Sequence, residues 1–150
     1  MRVVLQRVKY AKVSVAGKTI GEIEKGLLVL AGFEENDSRE DFEWMAHKII
    51  QLRIFNDENG VMNLSAQDVG GDLLVVSQFT LHASTKKGNR PSYIRSSPPH
   101  LAKNQYVEFV KVLQNKYISH VRTGEFGADM KVELLNDGPV TICIDSKNKE

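Results

Sequence analysis

Two hydroxyls and an amide follow directly on an apolar run in Asp72-Leu-Leu-Val-Val-Ser-Gln-Phe-Thr-Leu81. Leu73 to Val76 is partly β-branched and reads as a strand buried on both faces. Ser77, Gln78 and Thr80 then interleave with Phe79 and Leu81. A hydroxyl or amide buried without a partner costs about 1–3 kcal/mol. Polar groups at the exit of such a strand are therefore either bonded to neighbouring backbone or aimed at a ligand. On this stretch alone both readings stand.

The charge map favours the ligand. From Leu73 to Val107 there is no Asp or Glu, while Lys86, Lys87, Arg90, Arg95 and Lys103 fall inside. A basic loop is often only a solvated surface. This one begins just after Thr80, and Lys and Arg are the natural complement of nucleic-acid phosphates. A substrate with an RNA part and a small reactive part suits the pairing.

Nucleophile arrangements are poor. Ser77 lacks the Gly-x-Ser-x-Gly setting of an exposed nucleophile. His47, His82, His100 and His120 are scattered, so a triad of Ser77, His82 and an acid is a minor alternative. Cys143 alternates along Val140-Thr-Ile-Cys-Ile-Asp145 and reads as a buried, inert thiol. No metal-ligand spacing, P-loop or dinucleotide fingerprint occurs, and neither cofactor nor metal is expected. Asn136-Asp-Gly-Pro-Val-Thr141 reads as a turn, at a bond where a cis peptide costs only about 0.5–1 kcal/mol.

The elements that must position these groups alternate in period. Val3–Val15 and Thr19–Ile23 form an expected hairpin through Ala16-Gly17-Lys18, and Leu27–Ala31 is a further buried strand. Asp37 is the expected N-cap of a helix over Ser38–Gln51, with Phe42, Met45, Ala46, Ile49 and Ile50 on its core face and His47 off it. Leu52–Asn56 and Val61–Leu64 flank an Asn59-Gly60 turn. His82–Pro99 reads as a long irregular loop. Ser97-Pro98 then opens a second helix with Ala102, Tyr106, Phe109, Val110, Leu113 and Tyr117 inward. Ile118–Thr123, Met130–Leu135 and Val140–Asp145 are the last expected strands, and the tail Ser146–Glu150 is expected to fray.

This pattern predicts an α+β fold: a mostly antiparallel, barrel-like sheet with two main helices in one domain over residues 1–150. One cysteine excludes an internal disulfide. No apolar run approaches the roughly 20 residues of a membrane span. A soluble, cytoplasmic protein without a membrane partner is expected.

Ser77-Gln-Phe-Thr-Leu81, Asn136-Asp-Gly-Pro-Val-Thr141, Met62-Asn-Leu-Ser65, Arg90-Pro-Ser92 and Phe126-Gly-Ala-Asp-Met130, together with the opening Met1-Arg-Val-Val-Leu-Gln-Arg-Val8, resemble the D-aminoacyl-tRNA deacylases. Each motif is short, but in register they are specific and cover nearly the whole chain. The resemblance implies hydrolysis of the ester joining a D-amino acid, or glycine, to the terminal adenosine of tRNA, with tRNA rather than DNA as partner. It implies a homodimer whose sites lie at the interface. Ser77, Gln78, Phe79 and Thr80 would form one wall, and a cis Gly138-Pro139 from the other subunit the opposing, chirality-reading wall. Phe126 and Met130 would hold the adenine, and Lys86, Lys87 and Arg90 the RNA backbone. The tRNA 2′-hydroxyl would assist attack by water. A nucleophilic Thr80 or Ser77 and a non-catalytic tRNA-binding module are the alternatives. His82 stands where the family commonly has tyrosine, and Tyr93 where it has phenylalanine. Both are expected at the pocket rim, with His82 gaining charge below about pH 6.5 and strengthening phosphate contacts.

Overall fold

The computed structural model describes residues 1–150. Strand β1 (Arg2–Val15) is long enough to serve three neighbours. Its first half pairs antiparallel with β3 (Gly26–Gly32), and its second half with β2 (Lys18–Ile23). Its other edge pairs antiparallel with β8 (Met130–Asp145). Beyond β3 come β6 (Asp72–Ser77) and β7 (Val121–Thr123), each parallel to its neighbour. A Cβ on Gly21 of β2 would lie 2.6 Å from the Thr123 carbonyl oxygen, so β2 curls round to β7 and nearly closes the sheet into a barrel. The expected mostly antiparallel, barrel-like sheet holds. Its two parallel pairs arise where α1 (Arg39–Gln51) and α3 (Pro99–Lys116) carry the chain back across the sheet.

Strand β6 is buried on both faces, as its apolar run predicts. Leu73 and Val75 join Phe33, Phe42, Met45, Ile49, Phe109 and Leu113 in the layer between sheet and helices. Leu74 and Val76 pack with Val8, Val13, Ile23 and Leu28 on the other side. Both predicted helix stripes are buried. Tyr106 of α3 donates to the Val75 carbonyl (2.8 Å), and burial pushes its phenol up to about 12. The helix therefore holds β6 by a hydrogen bond as well as by packing.

Several boundaries differ from expectation. The N-cap of α1 is Ser38, one residue later than expected, because Asp37 accepts instead from the Met1 amine and the Glu34 N–H. Asp41 then closes the cap on the Ser38 N–H (2.8 Å). Burial opposes ionisation of Asp41, but Lys147 and Ser38 outweigh it and hold the carboxyl well below its usual range. The cap of α3 is Pro98 rather than Ser97. The hairpin beyond α1 is shorter than expected, with β4 (Phe55–Asn56) and β5 (Met62–Leu64), and one unexpected turn of helix, α2 (Ala66–Val69), follows. The tail does not fray: Ser146 is buried, Lys147 pairs with Asp41 (2.6 Å), and Lys149 lies over the Trp44 ring. No helix is long and apolar enough to cross a membrane.

The largest correction concerns Asn136–Thr141, which is not a turn between two strands. Strand β8 runs through it, with Asn136 opposite Val8 and Thr141 opposite Gln6. The four residues Asp137–Val140 thus face Arg7 alone and bulge from the sheet. Asn136 closes the bulge, its Oδ1 accepting from the Val140 N–H (2.8 Å) and its Nδ2 donating to the Val140 carbonyl (3.2 Å). Gly138 has a φ of +148°, where a side chain is strained, and the Gly138–Pro139 peptide is cis.

Candidate active site

The polar end of β6 enters a 3-10 turn, Phe79–His82, at the floor of a pocket of about 600 Å³. That size suits a small-molecule moiety. Ser77, Gln78 and Phe79 form one side, and Phe126, from the β7–β8 connection, with Met130, the first residue of β8, another. Five of the predicted residues are thereby brought together from segments far apart in the chain. Phe126 is set against Tyr106 with ring centroids 5.9 Å apart, and Met130 Sδ lies close over Gly124. An aromatic face and a thioether at one mouth make a flat apolar slot.

Thr80 follows this wall in the chain without lining the pocket, and its Oγ1 accepts from Gln78 Nε2 (2.6 Å). No imidazole or carboxylate hydrogen-bonds to Thr80 or Ser77, so neither hydroxyl has an activating base. The turn does offer donors. Gln78 N–H is taken by the Ala31 carbonyl, whereas the N–H groups of Phe79 and Thr80, at the start of the turn, have no intrahelical partner. Ser96 Oγ donates to the Phe79 carbonyl (2.9 Å), and the Phe79 ring meets Tyr93 edge-on at 5.0 Å. Sequence reasoning missed Ser96, which carries no motif of its own.

Gly32 is a second residue that no motif singles out. A Cβ there would lie 2.7 Å from the Gln78 carbonyl oxygen, 3.1 Å from His82 Cδ2 and 3.2 Å from Leu81 Cβ. The end of β3 thus touches the turn at backbone distance.

His82 corrects the expectation of a rim residue. It is fully buried, neither ring nitrogen has a hydrogen-bond partner, and Nδ1 lies 3.4 Å from Glu34 Oε1. It makes no contact resembling a triad with Ser77. Burial pushes the imidazole pKa down, against the pull of the Gly32 backbone and Glu34, so the added charge and phosphate contact are not its role. Below the ordinary histidine pKa the unfolded chain takes up a proton that the native chain refuses, so stability falls as pH drops through about 6.5. Urea titrations between pH 7.5 and 5 are expected to show this loss, and His82→Phe to flatten it. An unchanged slope in the variant would assign the loss to other groups.

The remaining predicted residues lie outside the pocket. Lys86, Lys87 and Arg90 are exposed and form no ion pair, in a loop closed at its base by reciprocal backbone bonds between Ser84 and Ser92 (2.8 and 3.0 Å). Arg95, by contrast, is bound to Glu34 (3.0 Å). Cys143 is exposed on β8 rather than buried.

Gly138 and Pro139 are exposed on their bulge, away from the pocket of their own chain. The bulge is held by Arg7, whose Nε donates to the Asp137 carbonyl (2.7 Å) and whose Nη1 donates to the Ile54 carbonyl (2.6 Å). Arg7 is buried, and sequence reasoning quoted it only as part of the opening motif. The available signal was its alternation: Val3, Leu5 and Arg7 share the inward face of β1, where a charge demands a structural reason.

The family model described as D-Tyr-tRNA(Tyr) deacylase matches residues 4–145. The chain is 61% identical over 150 residues to a D-aminoacyl-tRNA deacylase of Flavobacterium johnsoniae, covering all of both chains. Its fold is similar to that of a solved c-Myc DNA unwinding element binding protein, with a TM-score of 0.92 and 39% identity over 97% of this chain and 98% of that one. A solved probable eukaryotic D-amino acid tRNA deacylase shares the fold at a TM-score of 0.79 and 18% identity, over 95% of this chain and 97% of that one. With nearly its whole length matched by the family model and by a full-length relative, the chain belongs to the D-Tyr-tRNA(Tyr) deacylase family, a family of hydrolases.

Proposed function

We propose that the pocket hydrolyses the ester linking a D-amino acid, or glycine, to the terminal adenosine of tRNA, and that two copies of the chain build each site. The observation that carries this reading is the turn after β6: Ser77, Gln78 and Phe79 line the pocket, the first N–H groups of the turn have no intrahelical partner, and the neighbouring hydroxyls have no base. Such a wall suits an ester already activated for hydrolysis, which needs positioning and oxyanion stabilisation more than a protein nucleophile. One well-placed oxyanion donor is worth roughly 10²–10³ in rate. Water attacks the ester carbonyl with the substrate's own 2′-hydroxyl assisting. The Phe79 and Thr80 N–H groups receive the developing oxyanion, and the 3′-hydroxyl of the tRNA leaves.

Phe126 and Met130 hold the adenine between aromatic face and thioether. Enantiomers differ only in where the α-substituents point, so a rigid wall near Cα must read them. Gly138 and Pro139 are exposed and anchored by Arg7, and those of the partner subunit supply that wall. Its carbonyls accept from the α-amino group and clash with an L side chain, which spares glycine. Exposed Tyr10 and Leu135, opposite one another on β1 and β8, give the second copy an apolar face to cover. Working on tRNA, the enzyme acts in the cytoplasm.

The experiment is hydrolysis of D-Tyr-tRNA by Ser77→Ala and Thr80→Ala variants, with light scattering on each. The expected result is a dimer, partial activity in both variants and indifference to serine-directed phosphonylating reagents. A folded Thr80→Ala dimer with no activity would make Thr80 the nucleophile, and a stable monomer would remove the shared site.

A further inference from the structure

We propose that the Tyr93 hydroxyl binds the phosphate of the substrate's terminal nucleotide, making Tyr93 a residue that favours a phosphorylated adenosine ester over a bare one. The inference rests on the deacylase reading of the pocket. Tyr93 lines that pocket beside Phe79, and no hydrogen bond within the chain engages its hydroxyl. Its backbone is held on both sides, and its ring rests on Phe79. Ser92 is paired with Ser84, the Ser96 N–H donates to the Tyr93 carbonyl (2.9 Å), and Ser96 Oγ bonds the neighbouring Phe79 carbonyl. A phenol on an anchored backbone loses less entropy on binding than one on a free loop, and its hydroxyl is open to an acceptor from outside the chain.

The surroundings identify the acceptor. Tyr93 stands at the base of the Ser84–Ser92 loop, which carries Lys86, Lys87 and Arg90 with no carboxylate to neutralise them. Adenine in the Phe126 slot and an ester at the Phe79 turn leave the nucleotide's 5′ side to run toward this loop. The first anionic group met on that path is the phosphate of the terminal adenosine. An O–H donor to a phosphate oxygen is a charge-assisted hydrogen bond and among the stronger ones available. A ring without the hydroxyl would keep the edge contact with Phe79 and lose only the donor.

The test compares D-tyrosyl-adenosine with its 5′-monophosphate as substrates for wild type and Tyr93→Phe. Wild type is expected to prefer the phosphorylated ester in kcat/KM. The variant is expected to lose about five- to tenfold of that preference, through KM rather than kcat. A hydroxyl that merely supported the turn would affect both esters alike, and an unchanged preference would overturn the proposal. So would a wild type that ignores the phosphate. A wild type that cleaves neither ester, nor D-Tyr-tRNA, would remove the deacylase reading itself and this inference with it.

Discussion

Arg7→Ala is expected to cost roughly 2–5 kcal/mol of stability and to suppress hydrolysis more than tenfold in the molecules that stay folded. The guanidinium donates to two carbonyls from two separate chain segments, Asp137 and Ile54, and also meets Asn56 Oδ1 at 3.3 Å. Each buried acceptor left without a donor costs about 1–3 kcal/mol. Against a typical total of about 5–15 kcal/mol the variant should still fold. The bulge would nonetheless lose the anchor that fixes Gly138, whose backbone the proposed site presents to the partner subunit. Lysine keeps the charge without the planar fork. Arg7→Lys is therefore expected to recover less than half of the stability, read from urea midpoints. A wild-type midpoint and wild-type turnover in Arg7→Ala would show that the bulge stands without its arginine.

Gly32→Ala is expected to show the opposite balance, a modest loss of stability with a large loss of activity. Its new methyl would press on the Gln78 carbonyl at 2.7 Å, and because this nearest atom is backbone no flexible side-chain end absorbs the collision. Overpacking of this kind costs about 1–3 kcal/mol. The relief available is movement of the turn itself, which displaces the N–H groups of Phe79 and Thr80 from the reacting carbonyl. Misplacement near 1 Å costs on the order of 10²-fold. The expected outcome is kcat/KM down by about 10- to 100-fold with a urea midpoint only slightly lowered. Unchanged kinetics would mean that the turn plays no positional part.

How much of this was legible in the sequence depends on which interactions were local. Both helices were visible because Phe42–Ile50 and Ala102–Tyr117 repeat at helical spacing, and each stripe is buried. Strand β6 was visible as an apolar run, and its two-sided burial follows from composition. The parallel pairs were readable in principle, since a helix lies between β3 and β6 and another between β6 and β7. Boundaries moved where a distant group competed for a side chain, as when the Met1 amine and Glu34 N–H took Asp37 from the helix cap.

The site was half legible. Ser77, Gln78 and Phe79 with Phe126 and Met130 do meet at one pocket, and motif resemblance brought them together before geometry did. Asn136–Thr141 was misread as a turn because Gly-Pro serves turns and bulges equally. Only the pairing with β1 tells them apart. His82 was misplaced for a similar reason: its burial depends on Gly32, fifty positions away, and nothing beside it in sequence announces that contact. Ser96 acts through a carbonyl, which leaves no trace in a sequence, and Arg7 showed only as a charge on the inward face of β1.

The most direct measurement is release of amino acid from D-Tyr-tRNA and L-Tyr-tRNA, side by side, with wild-type protein and no added metal. Rapid loss of the D ester with the L ester spared is the predicted result, and it would establish the hydrolysis and its chiral filter together. Equal loss of both esters would contradict the chirality-reading wall. Loss of neither, with tRNA still bound, would leave a binding module in place of the enzyme.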